Sequence, residues 1–173
     1  MKIEELKEYI HSDWSETAEC RNDKYYFVRT DADELEDVFA EIKYQLSEEV
    51  PDDLKRFYKE VGFGFLWFGF KQKKGIYRVL SPEELLDLYF EPEDEGEPDD
   101  FIMYRENAWN NMDENKLLAF CLFGEEDSLL YIGLSDGAVY YLSARRKIAD
   151  SLNEFFDLLR KHFKPPSEMG RTE

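Results

Sequence analysis

Two histidines, His11 and His162, and two cysteines, Cys20 and Cys121, are the side chains best suited to nucleophilic, acid–base or metal-binding work in this 173-residue sequence. His11 falls at the end of an N-terminal helical stripe. His162 falls in the last turn of a C-terminal helix, where a cation suits the helix dipole. Both read as structural or surface residues. Two widely separated cysteines make neither a disulfide framework nor a metal-ligand spacing. Cys121 lies inside the apolar run Leu117–Phe123 and reads as a buried, inert thiol. The chain carries no Gly-x-Ser-x-Gly elbow, Walker loop, His-Glu-x-x-His or Cys-x-x-Cys. Gly62-Phe63-Gly64 links a helix to a strand, which is not the strand-then-helix context of a dinucleotide loop.

Carboxylates are the abundant reactive group. Forty acidic residues against 22 basic ones give a formal net charge of −18. Paired carboxylates do acid–base chemistry when the fold brings them together. With so many of them, however, nearness in sequence does not point to a shared site. The densest block runs from 91 to 100 and holds Glu91, Glu93, Asp94, Glu95, Glu97, Asp99 and Asp100, interspersed with Pro92, Gly96 and Pro98. It lacks the alternating-ligand order of a Ca²⁺ loop. Like charges at this density repel and do not pack, so the block reads as a solvated, mobile loop. No catalytic residue, cofactor site or metal site is assigned.

Charge also sorts partners. A surface this negative repels nucleic acid and anionic membranes and steers in a basic protein, and it also keeps a protein soluble. Trp109 stands among polar residues soon after the acidic block, and an aromatic beside acidic neighbours suits a protein-partner anchor. Trp14 and Trp67 read as core. No apolar run approaches the ~20 residues of a membrane helix, and the charged, amphipathic start Met1–Leu6 has no signal-peptide core, so a cytoplasmic location is expected.

The elements that would carry these residues follow from periodicity. Ile3, Leu6, Tyr9 and Ile10 form a helical stripe. Residues 24–29 have the composition of a strand. A helix capped by Asp31 or Asp33 carries the stripe Leu35, Val38, Phe39, Ile42 and Leu46. Pro51 opens a second helix, with Leu54, Phe57, Tyr58 and Val61 on its inner face and Gly62 as its left-handed end. Phe63–Phe70 has aromatics on both faces, as a doubly buried strand requires, and its glycines suggest a bulge or a close backbone approach. Ile76–Leu80 is another strand. Ser81-Pro82-Glu83-Glu84 combines a cap, a first-turn proline and a capping-box glutamate. Phe101–Arg105 fits a strand or a short helix. Leu117–Phe123, Ser128–Leu134 and Ala138–Leu142 are strands, the last two joined by an Asp136-Gly137 turn of type I′ form. Ser151 and Glu154 have the form of a capping box for a final helix with Leu152, Phe155, Phe156, Leu159 and Phe163 on one face. Residues 164–173 read as a frayed tail.

Three segments resemble the SUKH superfamily, named partly for the yeast cell-wall assembly and glucan synthesis regulator. They are Val50–Gly62, Ile76–Leu85, and Leu117–Leu159, the last with its strand, acidic turn, strand, Asp-Gly turn, strand and a helix beginning Ile148-Ala149-Asp150-Ser151-Leu152. The likeness covers roughly residues 33–163, with residues 1–30 as an N-terminal extension of helix and strand. The chain departs from the family pattern at Val61-Gly62-Phe63-Gly64, where Asn-Gly-Gly is frequent, and at Ala119, where proline is common. The resemblance implies a single α+β domain, with a mainly antiparallel β-sheet flanked by α-helices. It also implies a role: bacterial members are mostly immunity proteins that bind and neutralise toxins, often nucleases, and eukaryotic relatives are regulatory interaction proteins.

Together these features predict a non-enzymatic immunity protein (antitoxin) that blocks a basic toxin, such as a nuclease, by stoichiometric binding. The alternative is a regulatory interaction scaffold. Glu91, Glu93, Asp94, Glu95, Glu97, Asp99, Asp100 and Trp109 are the expected partner-binding residues.

Overall fold

A computed structural model describes residues 3–14, 25–66, 77–89, 102–124, 128–141, 146–161 and 165–169. In chain order the elements are α1 (Ile3–Leu6), a 3-10 turn (Lys7–Tyr9), β1 (Ile10–His11), β2 (Tyr25–Val28), α2 (Ala32–Leu46), α3 (Asp52–Glu60), β3 (Phe63–Leu66), β4 (Tyr77–Val79), α4 (Pro82–Asp87), α5 (Ile102–Asn115), β5 (Leu117–Phe123), β6 (Ser128–Gly133), β7 (Val139–Tyr141), β8 (Arg146–Ala149), α6 (Leu152–Lys161) and a second 3-10 turn (Pro166–Glu168). This is an α+β fold. One eight-stranded sheet runs β1 to β8 in sequence order, antiparallel throughout except for the parallel β1–β2 pair.

Local chemistry explains the helices that were legible. Asp31 caps α2, its carboxylate accepting from the Asp33 and Glu34 amides. The stripe Leu35, Val38, Phe39, Ile42 and Leu46 is buried as a unit. In α3, Leu54, Phe57 and Tyr58 form the buried face, and Gly62 follows at φ +111°. Ser81 and Glu84 close a full capping box at α4. Ser151 caps α6, but the reciprocal bond shifts by one residue: Glu154 accepts from the amide of Asp150.

Two aromatic side chains, Phe57 and Phe155, knit α3 and α6 to one face of the sheet. Phe57 packs edge-on to Phe27 of β2 at 5.7 Å and against Phe156 at 5.2 Å. Phe155 meets Tyr77 of β4 at 5.9 Å and Phe120 of β5 at 6.2 Å. Phe57, Phe120 and Phe155 are fully buried, and truncating such a ring to alanine typically costs about 3–5 kcal/mol. Cys121 is buried in this core, and burial pushes its thiol well above the ordinary range.

Several expectations are corrected. The N-terminal stripe is not one helix: it ends in a 3-10 turn, and Ile10–His11 pair with Phe27–Val28 as an edge strand. Within the described part of 63–70 the burial alternates, with Phe63 and Phe65 half-buried and Gly64 and Leu66 buried, so β3 is not buried on both sides there. The segment from Ile102 is a 14-residue helix, not a strand or a short helix. Its inner side is Ala108, Asn111 and Met112, and the polar Asn111 hides the apolar period. Arg146–Ala149 form strand β8, so Ile148 and Ala149 precede α6 rather than begin it.

The Asp136-Gly137 hairpin is also not type I′. Only Gly137 has positive φ (70°), and the loop closes with the Gly137 amide on the Gly133 carbonyl. Residues 165–169 are packed, with Pro166 and Met169 buried and Arg146 Nη1 donating to the Ser167 carbonyl at 2.5 Å. Trp14 is 39% exposed and is not core. Cys20, Trp67, His162 and the block 91–100 lie outside the described residues.

Candidate functional site

Strand alternation sends the second face of β2, β3 and β4 away from α3 and α6. Tyr26 lies opposite Phe65, and Phe65 opposite Arg78, so these three side chains form one row across the sheet. Phe63 joins it two residues along β3. Trp14 lies over this row, with its ring 5.7 Å from Tyr26, 5.5 Å from Phe63 and 5.7 Å from Phe65. The Tyr26 hydroxyl donates to the Asp13 carbonyl at 2.8 Å and so ties the chain beside Trp14 to the sheet. On its other flank Tyr26 stacks on His11 at 3.9 Å with the rings nearly parallel. The result is a cleft of about 390 Å³, walled by Trp14, Phe63 and Phe65 and floored by Gly64 and Val79, with Arg78 and Glu84 at one end.

Gly64 makes the floor possible. Its φ is +149°, and a Cβ there would lie 2.1 Å from the Tyr26 carbonyl oxygen. Only a glycine lets β3 approach β2 this closely.

The polar end is fixed by the start of α4. Arg78 Nη1 donates to both Glu84 carboxylate oxygens at 2.7 and 2.6 Å. Glu84 Oε1 also accepts from the Ser81 amide at 3.0 Å, and the Ser81 hydroxyl accepts from the Glu84 amide. This ion pair is mostly shielded from water, with side-chain exposures of 29% and 20%. Its two charges cancel.

Glu83, next to Glu84 in sequence, is the group that most perturbs Glu34 in the first turn of α2. Side-chain hydrogen bonding to Glu83, then burial, then the nearby charges of Glu83 and Asp31, hold the Glu34 carboxyl above its ordinary value. Two carboxylates at hydrogen-bond distance do not both ionise freely. Among the described residues no group of three or more His, Cys, Asp or Glu is arranged to hold a metal ion.

Of the sequence-selected residues, Trp109 is exposed (45%) on α5, its ring 6.0 Å from that of the buried Tyr89. The seven acidic residues of 91–100 lie outside the described residues, so the structure does not place them relative to Trp109. The aromatic row was missed. Alternation in 25–28 and 63–66 was the available signal, but pairing it with Trp14 and Arg78 requires the register.

With the geometry in hand, comparison with known proteins gives one result. The sequence model of the SMI1 / KNR4 family (SUKH-1) matches residues 29–158. The chain belongs to this family. The match begins just after β2 and ends within α6, so it includes β3, β4 and α4 with Phe63, Phe65, Arg78 and Glu84, but not His11, Trp14 or Tyr26. Neither the curated proteins nor the solved structures contain a significant match. No helix among the described residues is long and apolar enough to cross a membrane.

Proposed function

We propose that this protein is an immunity protein: a cytoplasmic, non-enzymatic antitoxin that neutralises a basic toxin, such as a nuclease, by stoichiometric binding. Family membership over residues 29–158 is the observation that carries the reading, since bacterial members of the superfamily mostly have this role. The net charge of −18 supports it. An acidic surface steers a cationic partner into encounter and occupies the site where the partner holds its own anionic substrate. Trp109, exposed on α5, supplies an aromatic anchor, and the acidic block 91–100 supplies long-range attraction.

The test is co-expression with the toxin encoded by the adjacent gene. Survival of otherwise killed cells, with a one-to-one complex on purification, is the expected result. Unchanged killing counts against the proposal. The family's designation after a eukaryotic regulator favours a second reading, a regulatory interaction scaffold. An affinity capture that returns a chromosomally encoded host protein in stoichiometric amount, and no toxin, supports that reading instead.

A further inference from the structure

Of the exposed large apolar side chains among the described residues, Tyr44 on α2 is the most open, at 81% against 45% for Trp109. Asp33, Asp37, Ala40 and Tyr44 follow one another at i, i+4, i+7 and i+11, so they line one side of the helix, and all four are exposed. At 3.6 residues per turn this crest points directly away from the buried stripe of Leu35, Ile42 and Leu46. Among the described residues no cation pairs with Asp33 or Asp37, whereas Glu36 beside them has Lys59 at 3.1 Å. Asp33 suits the positive end of the helix, but Asp37 lies a turn further in, where the dipole no longer rewards it. Like charges at i, i+4, as in Asp33–Asp37 and Asp37–Glu41, cost a helix stability rather than add to it. Nor does the fold use Tyr44: its ring joins no aromatic contact among the described residues, and tyrosine is a middling helix former. Helical side chains lean toward the N-terminus, so the ring projects over the turn of Ala40, whose methyl leaves that flank open. The helix is held at both ends, by the Asp31 cap and by Lys116, whose Nζ donates to the Leu46 carbonyl at 3.2 Å. The crest is therefore already ordered before any partner arrives.

We infer that the crest of α2 is a docking surface for a cationic patch of the protein's basic partner, with Tyr44 as the aromatic anchor and Asp33 and Asp37 as the countercharges. The inference rests on the reading that the protein acts by binding a basic partner. It adds a contact surface distinct from Trp109 and the block 91–100, and one that lies inside the family domain, residues 29–158. A cationic side chain laid across Ala40 meets the Tyr44 ring and the Asp37 carboxylate together and relieves the repulsion along the crest. An anionic occupant would meet unpaired carboxylates, and a purely apolar one would strip them of water without compensation.

The experiment is an NMR titration of the full-length ¹⁵N-labelled chain with acetylated tetra-lysine amide, followed amide by amide, with an uncharged glycine–serine peptide of equal length as control. The Asp37, Ala40 and Tyr44 amides are expected to shift with one common affinity. Tyr44→Ala should weaken that affinity by about threefold, and Tyr44→Phe, which keeps the ring, should retain it. Asp33→Asn and Asp37→Asn, made together, should weaken it by about threefold as well. All of these positions are exposed, so the spectra should stay folded. No shift on α2, an equal response to the uncharged peptide, or an affinity untouched by Tyr44→Ala or by the double variant overturns the inference. So does an affinity on α2 lowered as much by Trp109→Ala as by Tyr44→Ala. Because the probes are synthetic peptides, a failed co-expression test leaves this result intact, and a failed titration leaves the immunity reading intact.

Discussion

The phenol of Tyr58, on α3, donates a 2.6 Å hydrogen bond to the main-chain carbonyl of Leu80, at the end of β4. Both residues are fully buried, and burial raises the Tyr58 hydroxyl far above its ordinary range. This bond fixes the chain just before Ser81, where the α4 capping box begins, and so sets where Glu84 meets Arg78. A helix on one side of the sheet thereby holds the polar end of a cleft on the other.

Tyr58→Phe keeps the ring and leaves the Leu80 carbonyl buried without this partner. A loss of about 1–3 kcal/mol is expected in urea unfolding, with an unchanged m-value. A loss below ~0.5 kcal/mol means that the carbonyl finds a substitute partner.

Gly64→Ala is expected to damage the fold more than its size suggests. The residue sits at φ +149°, and the added methyl would meet the Tyr26 carbonyl oxygen at 2.1 Å. Backbone strain alone costs on the order of 1–3 kcal/mol, and the clash forces β2 and β3 apart as well. Thermal melting should show a large drop in Tm. A wild-type Tm would mean that the strands do not approach as described.

Glu83→Gln changes how stability depends on pH. Native Glu34 has a raised carboxyl, so between the unfolded and folded values the native state holds a proton that the unfolded chain has lost. That contribution is full below the unfolded value and disappears as pH rises through the folded one. Replacing Glu83 by a neutral donor removes the cause. The variant should be more stable than wild type near neutrality, with the advantage shrinking on acidification through the carboxylate range. Parallel stability–pH curves for the two proteins would show that the pair is not coupled.

Neutralising Glu91, Glu93, Asp94, Glu95, Glu97, Asp99 and Asp100 as amides should slow association with the partner and flatten its salt dependence, leaving dissociation nearly unchanged. Trp109→Ala should do the opposite, raising the dissociation rate with little change in association. Stopped-flow measurements at low and high ionic strength separate the two effects. Association unaffected by the seven substitutions removes the block from the mechanism.

Sequence alone determined the elements whose causes are local. The stripe from Leu35 to Leu46, the Asp31 cap, the Ser81–Glu84 box and the apolar run Leu117–Phe123 each carry their own signal within a few residues, and the structure places all of them as read. So does the family, because the order and spacing of those local signals are what its sequence model matches. Elements with a weak local signal were lost. Asn111 breaks the apolar period of α5, β1 is only two residues long, and β8 is an edge strand whose Ile148 and Ala149 sit next to a helix start.

Tertiary structure decided what the outer face of the sheet presents. Trp14 meets Phe63 and Phe65 across some fifty residues of chain, and Arg78 joins the row only because β3 pairs with β4 in one register. A shift of a single residue in that pairing would turn Phe65 and Arg78 to opposite faces. Register is set by packing between distant strands, which no short window of sequence contains.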